Sequence, residues 1–389
     1  MRRISANYVF PVDGPPIRNG IVEAEDDGTI KKVYDFGGQM KELAHTEFLN
    51  GILVPGFINM HTHLEYAWMK QIEPAGKGMR YFIEYMMASE KPDEYMKSIK
   101  DADKYMYRTG TVAIADIANT SITKEIKAHS PIRYHTFAEL TGLKSDIAGE
   151  RLKLIKEVAK DFTEAGLPAS ITPHAPYSIS AELWKMLDKT IDSNQVLSIH
   201  NQESREENEM FTHGKGALLE FFRKKDIIDK QWQPTGTTAL QSLPSFMDSH
   251  PLLLIHNTNT QKSDINYLLK HRRAKTGWVL CPTSNEQITG ELPDIELLET
   301  TKFPLMLGTD STASGKSLSL LEEMKLLQQK LNLPFNKLLS WATINGAEFM
   351  GWDDLGSFAP GKKPGINLVS GFDFKSNTLK STAKVRKVL

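Results

Sequence analysis

A single cysteine, Cys281, stands in the whole chain. An intramolecular disulfide and a cysteine-built zinc cage are therefore excluded, and a reducing cytosol suits the protein. Charge excess of either sign is also missing: 47 Lys and Arg face 48 Asp and Glu, for a formal charge of -1. Nucleic acid or an anionic membrane would favour a basic surplus, so neither is expected as the main partner. No stretch approaches the ~18 consecutive apolar residues of a membrane span. The opening Met1-Arg2-Arg3 is followed by Pro11, Asp13, Pro15 and Pro16, where a secretory signal needs an apolar run, so a cytoplasmic chain is expected. Neither G-x-G-x-x-G nor G-x-x-x-x-G-K-S/T occurs, which removes the usual phosphate cradle of an open nucleotide-binding sheet.

What is present fits a globular protein, with 40% hydrophobic and 24% charged residues. The 389 residues exceed one ordinary domain. An α/β barrel of about 250 residues with a small satellite fits this length. The first fifty residues read as short strands broken by turns such as Gly14-Pro15-Pro16, Asp26-Asp27-Gly28 and Gly37-Gly38. Residues 366–370 and 383–389 read as strands again, so the termini are expected to meet in one small sheet. Between them lie eight short apolar, β-branched runs: 52–63, 111–118, 132–140, 169–174, 196–200, 252–256, 277–281 and 304–310. Amphipathic stretches such as 153–165, 263–271 and 318–331 separate them, and this alternation predicts an α/β fold with a closed parallel barrel. The long connections 64–110 and 202–251 are expected to form lids or pocket walls.

Barrel enzymes place their chemistry at the C-terminal ends of the strands. The first run ends His61-Thr62-His63, and i and i+2 of a strand face the same way, so both imidazoles are expected to point inward. His200, His256 and Asp310 close the fifth, sixth and eighth runs. One such histidine alone reads as a satisfied core residue. Four strand ends carrying His or Asp read as a metal site, since neutral imidazole and carboxylate are ligands of zinc, iron and manganese.

These residues resemble the amidohydrolase superfamily of metal-dependent hydrolases. The resemblance runs through Val54-Pro55-Gly56-Phe57-Ile58-Asn59-Met60-His61-Thr62-His63, Thr172-Pro173-His174-Ala175-Pro176-Tyr177, His200 with Glu203, His256, Cys281-Pro282-Thr283-Ser284-Asn285 and Leu307-Gly308-Thr309-Asp310-Ser311. It is similar in particular to the chlorohydrolase and aminohydrolase branch. There the His-Leu-Glu variant and the His174–Tyr177 run look closest to aminodeoxyfutalosine deaminases. The resemblance implies a distorted (β/α)8 TIM barrel over 53–359 and a composite β-sandwich from 1–52 and 360–389. It implies one divalent metal ion, zinc with iron or manganese as alternatives, held by His61, His63, His200 and Asp310. It further implies Glu203 as proton-shuttling carboxylate, and His256 and Asp310 aiming a hydroxide formed on the metal. The fourth strand carries no lysine or acid, against the two-metal branches.

The expected reaction is hydrolytic deamination of an aminated N-heterocycle, purine or nucleoside-like. Dechlorination or cyclic amide or amidine hydrolysis on the same scaffold is the alternative, and a metal-free scaffold is the non-enzymatic one. His174 is expected to touch the substrate or to support the metal histidines. Glu65 is read as a contact to a ribose hydroxyl or ring amine, or as a solvated rim acid, and Glu139 is equally open. Trp68 and Tyr177 are expected in the apolar wall that a heteroaromatic ring needs. The partner is a small molecule, and a homodimer is the family's common tendency.

Overall fold

The computed structural model describes residues 1–41 and 43–389. The chain opens with β1 (Arg2–Val9), β2 (Ile17–Arg18), β3 (Ile21–Ala24), β4 (Ile30–Tyr34) and β5 (Thr46–Pro55). At Gly56 it leaves that sheet for the barrel. A Cβ there would lie 2.3 Å from Val112 and 2.4 Å from the Pro364 carbonyl, so glycine alone permits the crossing. The single run expected over 52–63 is therefore divided between β5 and β6 (Phe57–Thr62).

Barrel strands and helices then alternate. β6 is followed by α1 (Met79–Ala88) and α2 (Tyr95–Arg108), β7 (Thr111–Ala118) by α3 (Lys124–His129), and β8 (Arg133–Leu140) by α4 (Ala148–Glu164). Next come β9 (Ala169–Pro173) with α5 (Ala181–Asp188), and β10 (Leu197–Asn201) with α6 (Arg205–His213) and α7 (Ala217–Lys224). β11 (Leu252–His256) leads to α8 (Lys262–His271), and β12 (Thr276–Leu280) to α9 (Pro282–Ile288) and α10 (Ile295–Glu299). β13 (Leu305–Leu307) precedes α11 (Leu320–Leu331), α12 (Phe335–Trp341) and α13 (Ile344–Met350). β14 (Ile366–Asp373) and β15 (Thr378–Lys387) return to the first sheet, whose order is β15-β14-β5-β1-β3-β4 with β2 on β1. Both ends of the chain thus share one sheet.

Parallel ladders join β6 to β9 and β10 to β13. Two seams close the ring. At one, the His200 amide donates to the His174 carbonyl at 2.8 Å and the Ser198 amide to Thr172 Oγ1 at 2.7 Å. At the other, the Thr309 and Asp310 amides donate to the His61 carbonyl at 2.9 and 3.0 Å. A Cβ on Gly308 would stand 2.7 Å from that of His61, so glycine is what lets the eighth strand approach the first. The result is a (β/α)8 barrel distorted at two seams, with the terminal sheet beside it. Among the described residues, no helix is long and apolar enough to cross a membrane.

Packing follows the periodicities. On α4 the buried Leu152, Ile155, Val158 and Phe162 recur every three or four residues and cover β8 and β9. Along β10 and β11, Leu197, Ile199, Leu252 and Leu254 pack with the helix residues Ile265, Leu268 and Met324. Their alternates Leu253 and Ile255 meet Ala113, Ile117 and Phe137 from the opposite half of the barrel.

One buried ion pair departs from this apolar pattern. Lys127 Nζ lies 2.5 Å from Asp116 Oδ2 with both side chains fully enclosed, and it also donates to Thr136 Oγ1 at 2.9 Å. The other Asp116 oxygen accepts the Leu64 amide at 2.9 Å, which ties the turn after His63 to β7. Removing one partner strands the other charge without water. Lys127→Met is accordingly expected to lower stability by about 3–5 kcal/mol, measured by urea unfolding, and Lys127→Met with Asp116→Asn to recover a large part of it. A neutral outcome for the single variant would show that the pair does not hold this turn.

Candidate active site

Five polar side chains from four strand ends meet at one place. His63 Nε2 lies 3.3 Å from His200 Nε2, and Asp310 Oδ1 lies 3.5 Å from His63 Nε2 and 3.6 Å from His61 Nε2. The His256 ring centre is 5.4 Å from that of His200 and 5.6 Å from that of His61. Glu203, in the turn between β10 and α6, puts Oε2 3.5 Å from His256 Nε2. All six residues are buried.

Local backbone explains how they converge. Alternation along β10 already turns His200 away from the helix-facing Leu197 and Ile199. Alternation along β11 would instead send His256 to the helix side with Leu252 and Leu254. A left-handed φ of 72° at His256 breaks the alternation and returns the ring to the site. Asp310 and Gln202 are left-handed too, with φ of 56° and 46°. Such residues carry about 1–3 kcal/mol of strain each and persist only where the surroundings hold them. For Gln202 the hold is visible: its amide donates to Asn208 Oδ1 at 3.1 Å and Asp264 Oδ2 at 2.9 Å. Next to it the Glu203 amide donates to the buried Glu207 carboxyl at 3.1 Å.

The donor set fits a divalent cation. Both ring nitrogens of His61, Nδ1 of His63 and Nε2 of His256 are buried without a hydrogen-bond partner among the described residues. His200 Nδ1 donates to the His174 carbonyl at 2.9 Å, so its lone pair sits on Nε2 and faces His63 Nε2. Four donors about 2.0–2.1 Å from one tetrahedral centre stand about 3.3–3.4 Å apart. Three of the six pairs lie close to that edge: His63–His200 at 3.3 Å, His63–Asp310 at 3.5 Å and His61–Asp310 at 3.6 Å.

Burial sets the charge states. It drives the His63, His174 and His256 rings well below the ordinary histidine range and His200 down to about 3, with neighbouring imidazoles adding to it. Neutral imidazoles are the ligand form. For Asp310 burial pushes upward, but the adjacent His61 ring and the other surrounding imidazoles outweigh it and hold the carboxyl low. Glu203 is pushed well up by burial and by the nearby Asp310 and Glu207 charges.

A cavity of about 500 Å³ opens above this cluster, a size suited to a small heteroaromatic molecule. His63, His174, His200, Glu203 and Asp310 form its floor, with Glu139 and Tyr177 in the wall. His174 Nδ1 is 2.7 Å from Ser178 Oγ while its carbonyl orients His200, so it both faces the cavity and supports a cluster histidine. Glu139 takes a hydrogen bond from Asn119 Nδ2 at 2.9 Å, and burial raises it to about 8.

Two expected contacts stand elsewhere. Glu65 is buried and accepts from the Asn119 amide at 2.6 Å and from Thr120 Oγ1 at 2.6 Å, so its carboxylate staples the turn after β7 instead of facing the cavity. Trp68 packs against the cluster of Ile99, Met106 and Ile114 outside the cavity wall. In their place the wall takes Tyr66 and one face of α1, with Met79, Phe82, Ile83 and Met86. The i, i+3, i+4, i+7 spacing of those four residues was the signal for a wall helix in the long 64–110 connection.

The profile of the amidohydrolase family matches residues 52–389. An adenosine deaminase of Helicobacter pylori is 26% identical over 361 residues, covering 90% of this chain and 87% of that protein. The fold is similar to that of Helicobacter pylori aminofutalosine deaminase in complex with methylthio-coformycin, at a TM-score of 0.82 and 21% identity with 100% of each chain covered. It is also similar to an adenosine deaminase from Xanthomonas campestris with bound zinc, at a TM-score of 0.69 and 19% identity over 98% of this chain and 87% of that one. The profile spans every barrel strand that brings a residue to the cluster, and the chain belongs to the amidohydrolase family.

Proposed function

We propose that the chain is a metal-dependent hydrolase that removes ammonia from an aminated N-heterocycle, with a 6-aminopurine nucleoside as the substrate class. The observation that carries this reading is the convergence of His61, His63, His200 and Asp310 beside Glu203 and His256 at the floor of an apolar cavity. Similarity to adenosine and aminofutalosine deaminases supports the purine nucleoside. In this reading His61, His63, His200 and Asp310 hold one divalent ion, for which zinc is favoured by the histidine-rich set. When bound, such an ion supplies the Lewis acidity that makes water a nucleophile at neutral pH.

The chain's own residues do the rest. The aminated ring lies along Tyr177 with its amino carbon toward the floor, and the apolar wall excludes bulk water. Glu203 donates a proton to the ring nitrogen next to the attacked carbon, which makes that carbon more electrophilic. His256, 3.5 Å from Glu203, orients the attacking water. One water proton passes through Glu203 to the amino group, ammonia departs, and the second water proton, lost as the ring carbonyl forms, returns Glu203 to its protonated form. In this reading the barrel begins after Gly56, and the expected boundary at 52/53 moves to the end of β5, because residues 53–55 pair with β1 and β14 in the terminal sheet.

Elemental analysis of the purified protein is expected to find one divalent ion per chain. Ammonia is expected to be released from a panel of adenosine, its 5′-substituted derivatives and aminodeoxyfutalosine. A chelator should abolish that release and added zinc restore it. Chloride release from chlorotriazines, or ring opening of cyclic amides with no ammonia from the purines, would overturn deamination in favour of the related hydrolyses. A metal-free protein inert on every panel would overturn the enzyme reading altogether.

Glu203→Gln keeps the shape of the side chain and removes its proton. It is expected to retain the ion and to lower kcat by about 10²–10⁴-fold, read by stopped-time ammonia assay. Wild-type turnover in this variant would assign the proton transfer to another group.

A further inference from the structure

The segment Cys281-Pro282-Thr283-Ser284-Asn285 lies where β12 gives way to α9, and none of its side chains takes part in the chemistry above. Its contacts are nevertheless specific. Ser284 Oγ donates to Asp310 Oδ2 at 2.7 Å, and Ser314 Oγ donates to the same oxygen at 2.7 Å. Asn285 Nδ2 lies 3.1 Å from His256 Nδ1. One residue earlier, the Thr283 amide and hydroxyl donate to the two carboxyl oxygens of Glu323 on α11, at 2.9 and 2.5 Å. Ser284, Asn285, Ser314 and Glu323 are all fully buried.

A hydroxyl offers one proton, and a carboxylate oxygen has two lone-pair positions. The two serines therefore fill Oδ2 of Asp310 completely. Only Oδ1 remains toward the cluster, 3.5 and 3.6 Å from His63 and His61. Turning the carboxylate to present both oxygens, or the other one, would break two buried hydrogen bonds together. Buried donors left without acceptors are unfavourable, so the orientation is strongly held. Asn285 is bonded next to Ser284 in the same helical turn, so Asp310 and His256 are set from one rigid piece of backbone.

We propose that the first turn of α9, pinned by Glu323, is a positioning element: Ser284 with Ser314 selects Oδ1 of Asp310 as the atom facing the cation, and Asn285 fixes the His256 ring. This inference rests on the reading of Asp310 as a ligand and His256 as the water-orienting group. Ser284 and Asn285 act through those residues and touch neither the ion nor the substrate.

The test compares wild-type protein with Ser284→Ala, Ser284→Thr, Ser314→Ala and Asn285→Ala. Zinc affinity is measured by competition with a chelating dye, alongside thermal midpoints and kcat and KM for ammonia release. Ser284→Ala is expected to weaken zinc binding by about 10–100-fold, the usual effect of losing a group that orients a ligand. Ser284→Thr, which keeps the hydroxyl, is expected to restore most of that affinity. Asn285→Ala is expected to lower kcat while zinc affinity and KM stay near wild type. Should Ser284→Ala fail to fold, Ser314→Ala carries the same expectation from the other side of Asp310. Wild-type zinc affinity in both serine variants overturns the inference and leaves the proposed function standing. So does a loss of zinc that follows the thermal midpoint and is not rescued by threonine. A wild-type protein that binds no zinc or other divalent ion overturns the proposed function, and the inference with it.

Discussion

Three imidazole nitrogens and one carboxylate oxygen, held within a few ångströms of each other and away from water, are the constraint on which the rest depends. His63 Nε2 and His200 Nε2 face each other at 3.3 Å, a separation that suits either one proton shared by a neutral pair or a positive charge between them. Burial prevents the histidines from supplying that charge by taking protons, since it lowers their proton affinity. The cluster is a set of buried donors that a cation at its centre would satisfy.

Holding such a cluster open requires a frame, and the frame is polar where the barrel is otherwise apolar. Lys127 and Asp116 secure the turn that follows His63. Glu207 and the Gln202 amide secure the turn that carries Glu203. Ser284 and Ser314 secure Asp310. Glu207 bonds the Glu203 amide and the two serines bond the Asp310 carboxylate directly, while Asp116 and Gln202 hold backbone one residue away from His63 and Glu203. The Gln202 amide and the two serines hold the left-handed residues at 202 and 310, whose strain is thereby kept in the folded state.

Above the floor, the two long connections have separate tasks. The segment between β6 and β7 contributes α1, whose Met79, Phe82, Ile83 and Met86 line the cavity. The segment between β10 and β11 carries Glu203 at its start and supplies Phe222 from α7 to the same wall. α1 is tied to α6 where the Arg80 amide donates to Glu206 at 2.9 Å, three residues beyond Glu203. The cavity wall and the turn that carries Glu203 are thus mechanically joined.

The amino-acid sequence alone determined the barrel, the meeting of the two termini and the polar residues at the strand ends. Apolar runs of period two, alternating with amphipathic stretches, carry that information locally. His61, His63 and His200 were legible because alternation on a strand fixes the side from which they project. His256 was legible as the polar end of the sixth run but its direction was not, since strict alternation would have turned it outward and a left-handed φ reverses it. Glu65 and Trp68 were misplaced because proximity in sequence to His63 says nothing of where a 3₁₀ turn aims its side chains. Ser284, Asn285 and Glu207 carried no pattern of their own. Which atoms they hold was decided only by tertiary structure, because a hydrogen bond between residues tens of positions apart depends on distances that no local period encodes.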